Sequence, residues 1–234
     1  MSGLANPADG PAAANRSFHS RGAWGLLVAM GAVAGLVGDG PGPAVATAQQ
    51  PIPSPSCCRE LHYLYEASIL KIDAMRLQVR VDETTASAVG VLIGSAARST
   101  RLDQEVARRY QDAREATFDM EFLVGVSGET FVSNTVKAIR ELGRDGTLTE
   151  AEANRFGREA AERFEFLNTA RVRSGDRLQY RVVADTVTTT YRRGETVLKV
   201  DRQVDTRARD VILATYFAPS SDFRKGLLND VFRR

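Results

Sequence analysis

The chain offers few groups able to act as nucleophiles, metal ligands or proton shuttles near neutral pH. Histidine occurs only at His19 and His62, and the two cysteines, Cys57 and Cys58, are neighbours in sequence. That excludes a His/Cys zinc site, a disulfide framework, and any Ser-His-Asp triad beyond what His62 alone could serve. No metal or other cofactor is expected. A vicinal Cys57–Cys58 bridge would be strained, because adjacent Cα atoms sit about 3.8 Å apart, below the usual disulfide range. Ser54 stands where a lipid-anchored cysteine would need an apolar residue, so free thiols are the plain expectation, with an intermolecular bridge open to an exported protein. The remaining chemistry is that of carboxylates and cations. Lys71 and Asp73, two residues apart on an extended stretch, share a face and could form a partly buried pair, with Asp73 as general acid/base and Lys71 or Arg59 as its electrostatic partner. The same spacing also suits a surface carboxylate beside a β-bulge.

Those residues need a scaffold, and the composition specifies its class. The 234 residues are 43% hydrophobic and 26% charged, as expected of a single globular domain. Lys+Arg 31 against Asp+Glu 29 leaves a formal charge of +2 with both signs spread along the chain. No run of basic residues offers a nucleic-acid footprint. Residues 23–37 (AWGLLVAMGAVAGLV) carry no charge, follow Arg16, His19 and Arg21, and precede a Gly/Pro-rich stretch and Ala46-Thr47-Ala48. This is the pattern of a signal peptide over 1–48 cleaved before Gln49, and the apolar run falls short of the roughly 20 residues that span a bilayer. Residues 49–56 (QQPIPSPS) read as an extended Pro/Ser linker, and 57–234 as the folded domain. The mature product is expected to be periplasmic or extracellular, without an integral membrane segment; its oligomeric state is left open.

Within the domain, periodicity locates the elements. Residues 65–81 alternate, with Met75, Leu77, Val79 and Val81 on one face; upstream, Ile69, Lys71 and Asp73 fall on that same face, which means either a bulge near Asp73 or two charges turned toward the core. A second strand is predicted over 117–126. Thr100 opens a short helix, Ser127 caps another that carries Phe131, Val132, Val136, Ile139 and Leu142, and Thr149 with Glu152 forms a capping box for the next. After Gly175 come two or three strands with a hairpin at Arg193-Gly194, then a helix from Asp205, a Pro/Ser break and a last helix. The order predicts an α+β fold with helices layered on one face of an antiparallel sheet.

Three segments in this order resemble the chalcone isomerase family: ILKIDAMRLQV at 69–79, VSGETFVSNTVKAIRELG with TEAEANRFGREAAERF across 126–164, and GDRLQY followed by ARDVILATYFAPSSDFRKGLL across 175–228. The resemblance implies that family's open-faced sandwich, an antiparallel sheet with helices on one face. It also implies where a site would lie. The early-strand threonine of catalytic members falls on Asp73, the pocket-helix tyrosine on Phe131, and the asparagine seven residues on falls on Ala138, with Asn134 one turn earlier on the same face. The arginine falls on Leu61 without gaps, or on Arg59 with slack, and the late hydroxyl falls near Thr206 or Arg207.

A carboxylate at Asp73 would place negative charge where an enolate must develop, and Phe131 lacks the tyrosine hydroxyl, so the family's cyclisation chemistry is disfavoured. Phe131 fits equally well as plain core. The leading expectation is a non-catalytic exported protein holding a small hydrophobic ligand, fatty-acid-like or aromatic, between sheet and helices. Arg59 or Lys71 would meet its polar end, with Phe131, Asn134, Ala138 and Thr206 nearby. The alternatives are an isomerase or intramolecular lyase using Asp73, and a structural envelope protein with a filled core.

Overall fold

The computed structural model describes residues 60–67, 72–95 and 97–233. The expected signal peptide and linker, Cys57, Cys58, Arg59 and Lys71 lie outside the described residues. Strands β1 (Glu60–Ala67), β2 (Ile72–Val81), β3 (Glu115–Phe122), β4 (Asp176–Val183), β5 (Thr186–Arg193) and β6 (Thr196–Val204) form one sheet in chain order. Every neighbouring pair is antiparallel. Helices α1 (Glu83–Ser95) and α2 (Thr100–Gln111) fill the β2–β3 connection; α3 (Gly128–Arg144), α4 (Glu150–Arg163) and the short α5 (Leu167–Ala170) fill the β3–β4 connection; α6 (Thr206–Phe217) and α7 (Arg224–Val231) close the chain.

Period-2 alternation decides which face of the sheet the helices cover. β3 and β4 present Ala116, Phe118, Met120 and Phe122, then Leu178, Tyr180 and Val182, to the buried side, and their intervening residues are more exposed. Each aliphatic side chain so buried contributes about 1.5–3 kcal/mol. Ser127 accepts from the Thr130 amide at the start of α3. The capping box at α4 forms as read, with the Glu152 amide donating to Thr149 Oγ1 and the Thr149 amide to the Glu152 carboxylate; such a cap is worth about 1 kcal/mol. Two glycines permit close approaches. A Cβ on Gly128 would collide with the Leu167 carbonyl, which brings α3 against α5, and one on Gly226 would strike the Tyr63 ring, which seats α7 on β1.

Two sequence expectations change. The single strand over 65–81 is split: Tyr65–Ala67 end β1, Ile72–Val81 form β2, and the two pair antiparallel, Tyr65 with Met75 and Glu66 with Asp73. Ala74 is the extra residue of a bulge, so Ala74 and Met75 are both buried in succession and Asp73 is turned to the exposed side. For Asp73 the bulge alternative therefore holds, and its charge is not turned toward the core. The second change is the strand over 117–126, which stops at Phe122; Val126 instead makes an isolated bridge to Val172. Helix α1 is an element that the periodicity does not show, because it has no amphipathic stripe: Val89 is fully buried but Val91 is 70% exposed. Its start is held by Asp82, whose carboxylate accepts from the Thr85 amide and hydroxyl and from the amides of Arg114 and Glu115. Burial would raise the Asp82 pKa, but these hydrogen bonds outweigh it and hold the group below its usual range.

Candidate functional site

A cavity of about 170 Å³ lies between the sheet and helices α3, α4 and α6. Helical spacing explains its wall. On α3, Phe131, Asn134, Thr135 and Ala138 recur at intervals of three and four and so share the stripe that faces the sheet. On α4 the same spacing brings Phe156, Glu159, Ala160 and Arg163 to the cavity, and α6 supplies Val211, Thr215 and Tyr216. Met120, Phe122, Leu178 and Tyr180 form the floor from the inward positions of β3 and β4. Phe131 is wedged edge-on between Phe122 and Phe164, with centroids 5.7 and 5.1 Å away and planes near perpendicular. Edge-to-face contacts of this kind fix a ring's orientation, so the apolar wall is preformed.

The polar groups of the wall fall into two classes. Thr135 and Thr215 donate to the Phe131 and Val211 carbonyls of their own helices. The Tyr216 hydroxyl donates to Met120 Sδ at 3.2 Å. Arg163, whose side chain is only 11% exposed, donates from Nε to Asp201 Oδ2 at 2.6 Å, and Gln203 donates to Glu159 at 3.4 Å. All of these are occupied. Tyr65, Asn134 and Tyr180, by contrast, make no side-chain hydrogen bond to any described residue. Tyr180 is nearly inaccessible, and burial pushes its hydroxyl up to about 12, with Arg163 pulling the other way. It is therefore a neutral donor throughout the physiological range. Burial likewise raises Tyr216, and Tyr65 rises to about 12 through burial and then the Asp222 charge.

Of the residues singled out in the sequence, Phe131, Asn134 and Ala138 come together on the cavity wall. Asp73 does not: it is exposed on the far side of the bulge and does not line the cavity. Thr206 is also exposed and outside it, because Asp205 caps α6 through the Arg207 amide and leaves the first helical residue toward solvent, so that the helix first reaches the cavity at Ala208. Leu61 is fully buried core. Arg163 and Tyr180 went unread as site residues. The alternation of Leu178, Tyr180 and Val182 already placed Tyr180 inward, but Arg163 has no such signal, since a cation in a helix's last turn ordinarily belongs to the solvated face. Among the described residues no group of three His, Cys, Asp or Glu side chains could hold a metal ion, and no helix is long and apolar enough to cross a membrane.

No protein-family model matches the chain, and no curated protein matches it by sequence. Its three-dimensional arrangement does have solved counterparts. The crystal structure of a fatty-acid binding protein of Arabidopsis thaliana superposes with a TM-score of 0.51 at 10% sequence identity, covering 78% of this chain and 92% of that one. The fold is chalcone isomerase-like. In the chalcone isomerase-like frame, the cavity lies where the sheet meets its helix layer. At this identity the likeness extends to the fold; the chemistry must be argued from the residues just described.

Proposed function

We propose that this chain is an exported, non-catalytic protein that binds a small hydrophobic ligand in the cavity between the sheet and α3, α4 and α6. The observation that carries the reading is the apolar, preformed cavity, on whose wall Tyr180 and Asn134 make no side-chain hydrogen bond to a described residue. The Tyr180 hydroxyl opens on the cavity, so a ligand oxygen that accepts from it gains a hydrogen bond worth about 0.5–1.5 kcal/mol. Size narrows the class. About 170 Å³ is below the roughly 300–1,000 Å³ of drug-sized sites and near the roughly 150 Å³ that accommodates a benzene ring. A single aromatic ring or a short acyl chain with one polar end fits as the cavity stands, and a long-chain fatty acid requires side chains such as Phe131 to yield. Arg163 is neutralised by Asp201, so the polar end meets a donor hydroxyl beside a balanced ion pair rather than a bare cation. The fatty-acid binding protein of the same fold supports a ligand of this general kind. Export rests on the uncharged run at 23–37 and the small-residue cleavage pattern at 46–48.

Mass spectrometry of the denatured, freshly purified protein tests the reading: a co-purified small lipid or aromatic is expected. Titration with short-chain fatty acids and simple phenols should give saturable binding that Ala138→Leu weakens by filling the cavity. Absence of any saturable binding in the folded protein would reject it.

A further inference from the structure

Away from the cavity, the other face of the sheet divides in two. On β1 to β3 both signs occur: Arg76 pairs with Glu121 at 3.3 Å, Arg80 with Glu60 at 3.4 Å, Asp119 accepts from Gln179, and Glu66 stands opposite Asp73. On β4 to β6 only one sign occurs. The outward positions of these strands carry Arg177, Arg181, Arg192 and Arg202, and no outward residue there is acidic. None of these arginines is ion-paired or hydrogen-bonded through its side chain to a described residue. Arg177 stands between Glu121 of β3 and Arg192 of β5, directly opposite each, and Arg181 and Arg202 flank Thr188 in one row. Like charges placed opposite each other on a sheet destabilise it, which is tolerable where an anion screens them. Along the edge strand β6 the same face exposes Val200 (58%) and Val204 (66%) on either side of Arg202.

We infer that this half-face is a docking surface for an anionic lipid bilayer. Arginines meet lipid phosphates, and the flanking valines enter the interfacial layer, as basic-and-apolar membrane surfaces do. A soluble polyanion has no use for the valines, and the outward face of β4 to β6 carries no aromatic ring on which nucleic-acid bases could stack. The sequence hides the feature because the four arginines come from three strands and are diluted by acids elsewhere; pairing in register collects them. The inward residue Gln203 of β6 lines the cavity, so the docked edge borders the ligand site. The inference stands without a ligand, however, since it needs only the outer face.

The test is co-sedimentation of the full chain with phosphatidylglycerol vesicles against phosphatidylcholine vesicles. Binding to the anionic lipid alone is expected, weakening as salt rises. Each arginine neutralised should cost about fivefold in affinity, so Arg192→Gln with Arg202→Gln costs about 25-fold, whereas the charge-matched pair Arg108→Gln with Arg144→Gln on α2 and α3 leaves it unchanged. Val200→Ser with Val204→Ser should weaken vesicle binding but not binding to heparin. Equal binding to both lipids, an equal loss in the charge-matched control, or a valine pair without effect would overturn the inference. So would a dimer that the valine substitutions disperse, which would assign the face to a second copy of this chain. Ala138→Leu retains vesicle binding, which separates this outcome from that of the ligand titration.

Discussion

Two polar clusters lie on the inward side of the same sheet, and they differ in whether their groups are satisfied. At the base of the β4–β5 hairpin, Asp176 is 1% exposed and every oxygen is used: Arg193 donates to both at 2.9 and 2.8 Å, Tyr191 donates its hydroxyl at 2.7 Å, and the Arg173 amide donates at 2.9 Å. Arg193 in turn donates to the carbonyls of Ala170 and Arg171, binding the hairpin to the end of α5. At the cavity, Tyr180 sits two pairs of residues further along β4 with no partner among the described residues. A closed network rigidifies the fold and leaves no valence for a ligand, whereas an open group in an apolar wall lowers stability slightly and creates a place to bind. Burial with perturbed pKa values is common to both clusters, so it cannot by itself distinguish structure from site; hydrogen-bond satisfaction does.

The sharpest break of this comparison is Asp176→Ala, which strands Arg193 and the Tyr191 hydroxyl and should cost about 3–5 kcal/mol in a denaturant melt. A loss under about 1 kcal/mol would put the two clusters in the same class. Acid titration of stability comes next. Burial works to raise the Asp176 pKa, but the Arg193, Tyr191 and Arg173 hydrogen bonds outweigh it and hold the group below its ordinary 3.8. Its contribution is therefore fully present above that value and is lost as pH falls through the depressed folded-state pKa. Asp176→Asn should flatten that part of the stability profile, and an unchanged acid limb would contradict the assignment.

At the cavity the effects are smaller and of the other kind. Tyr180→Phe should change stability by less than about 1 kcal/mol in either direction, because it removes a group that lacks a partner, while weakening a ligand with an acceptor oxygen by about two- to tenfold in isothermal titration. Loss of stability without loss of affinity would mean that Tyr180 belongs with Asp176. At the alkaline end, burial that holds Tyr180 at about 12 against 10.0 disfavours its phenolate, so it has no effect on stability below pH 10 and lowers stability as pH rises toward 12. The smallest expected effect is in Tyr180→Phe itself there: a slightly shallower alkaline decline of stability than the parent, followed by circular dichroism.

Much of this architecture was legible in one dimension. Caps at Ser127, Thr149 and Asp205, the alternation through Phe118 and Leu178, and the glycine turn at Gly194 are local signals, and each appears in the structure where its residues place it. The site was half legible. Phe131 and Ala138 were reached through the family resemblance and Asn134 as one turn from Ala138 on the same helix face, and the cavity wall brings all three together. Asp73 and Thr206 misled for a common reason: each sits at a discontinuity, a bulge or a helix start, where the period that carries the inference is reset. Arg163 was unreadable because its significance lies in Asp201, on a strand thirty-eight residues later.

What the sequence by itself determined is the class of chemistry and the type of each element. Two histidines and two adjacent cysteines argue against a His/Cys zinc site and against any triad beyond one served by His62, and periodicities of 2 and 3.6 mark strands and helices because side-chain direction repeats with them. Tertiary structure alone decided which polar groups are satisfied and which charges share a surface. Tyr180 and Tyr191 are both inward tyrosines, and only the position of Asp176 separates a structural hydroxyl from one open to a ligand. The arginines on β4 to β6 are ordinary in the chain and become a basic surface through strand register. Both outcomes depend on distances between residues far apart in sequence, which local propensity does not encode.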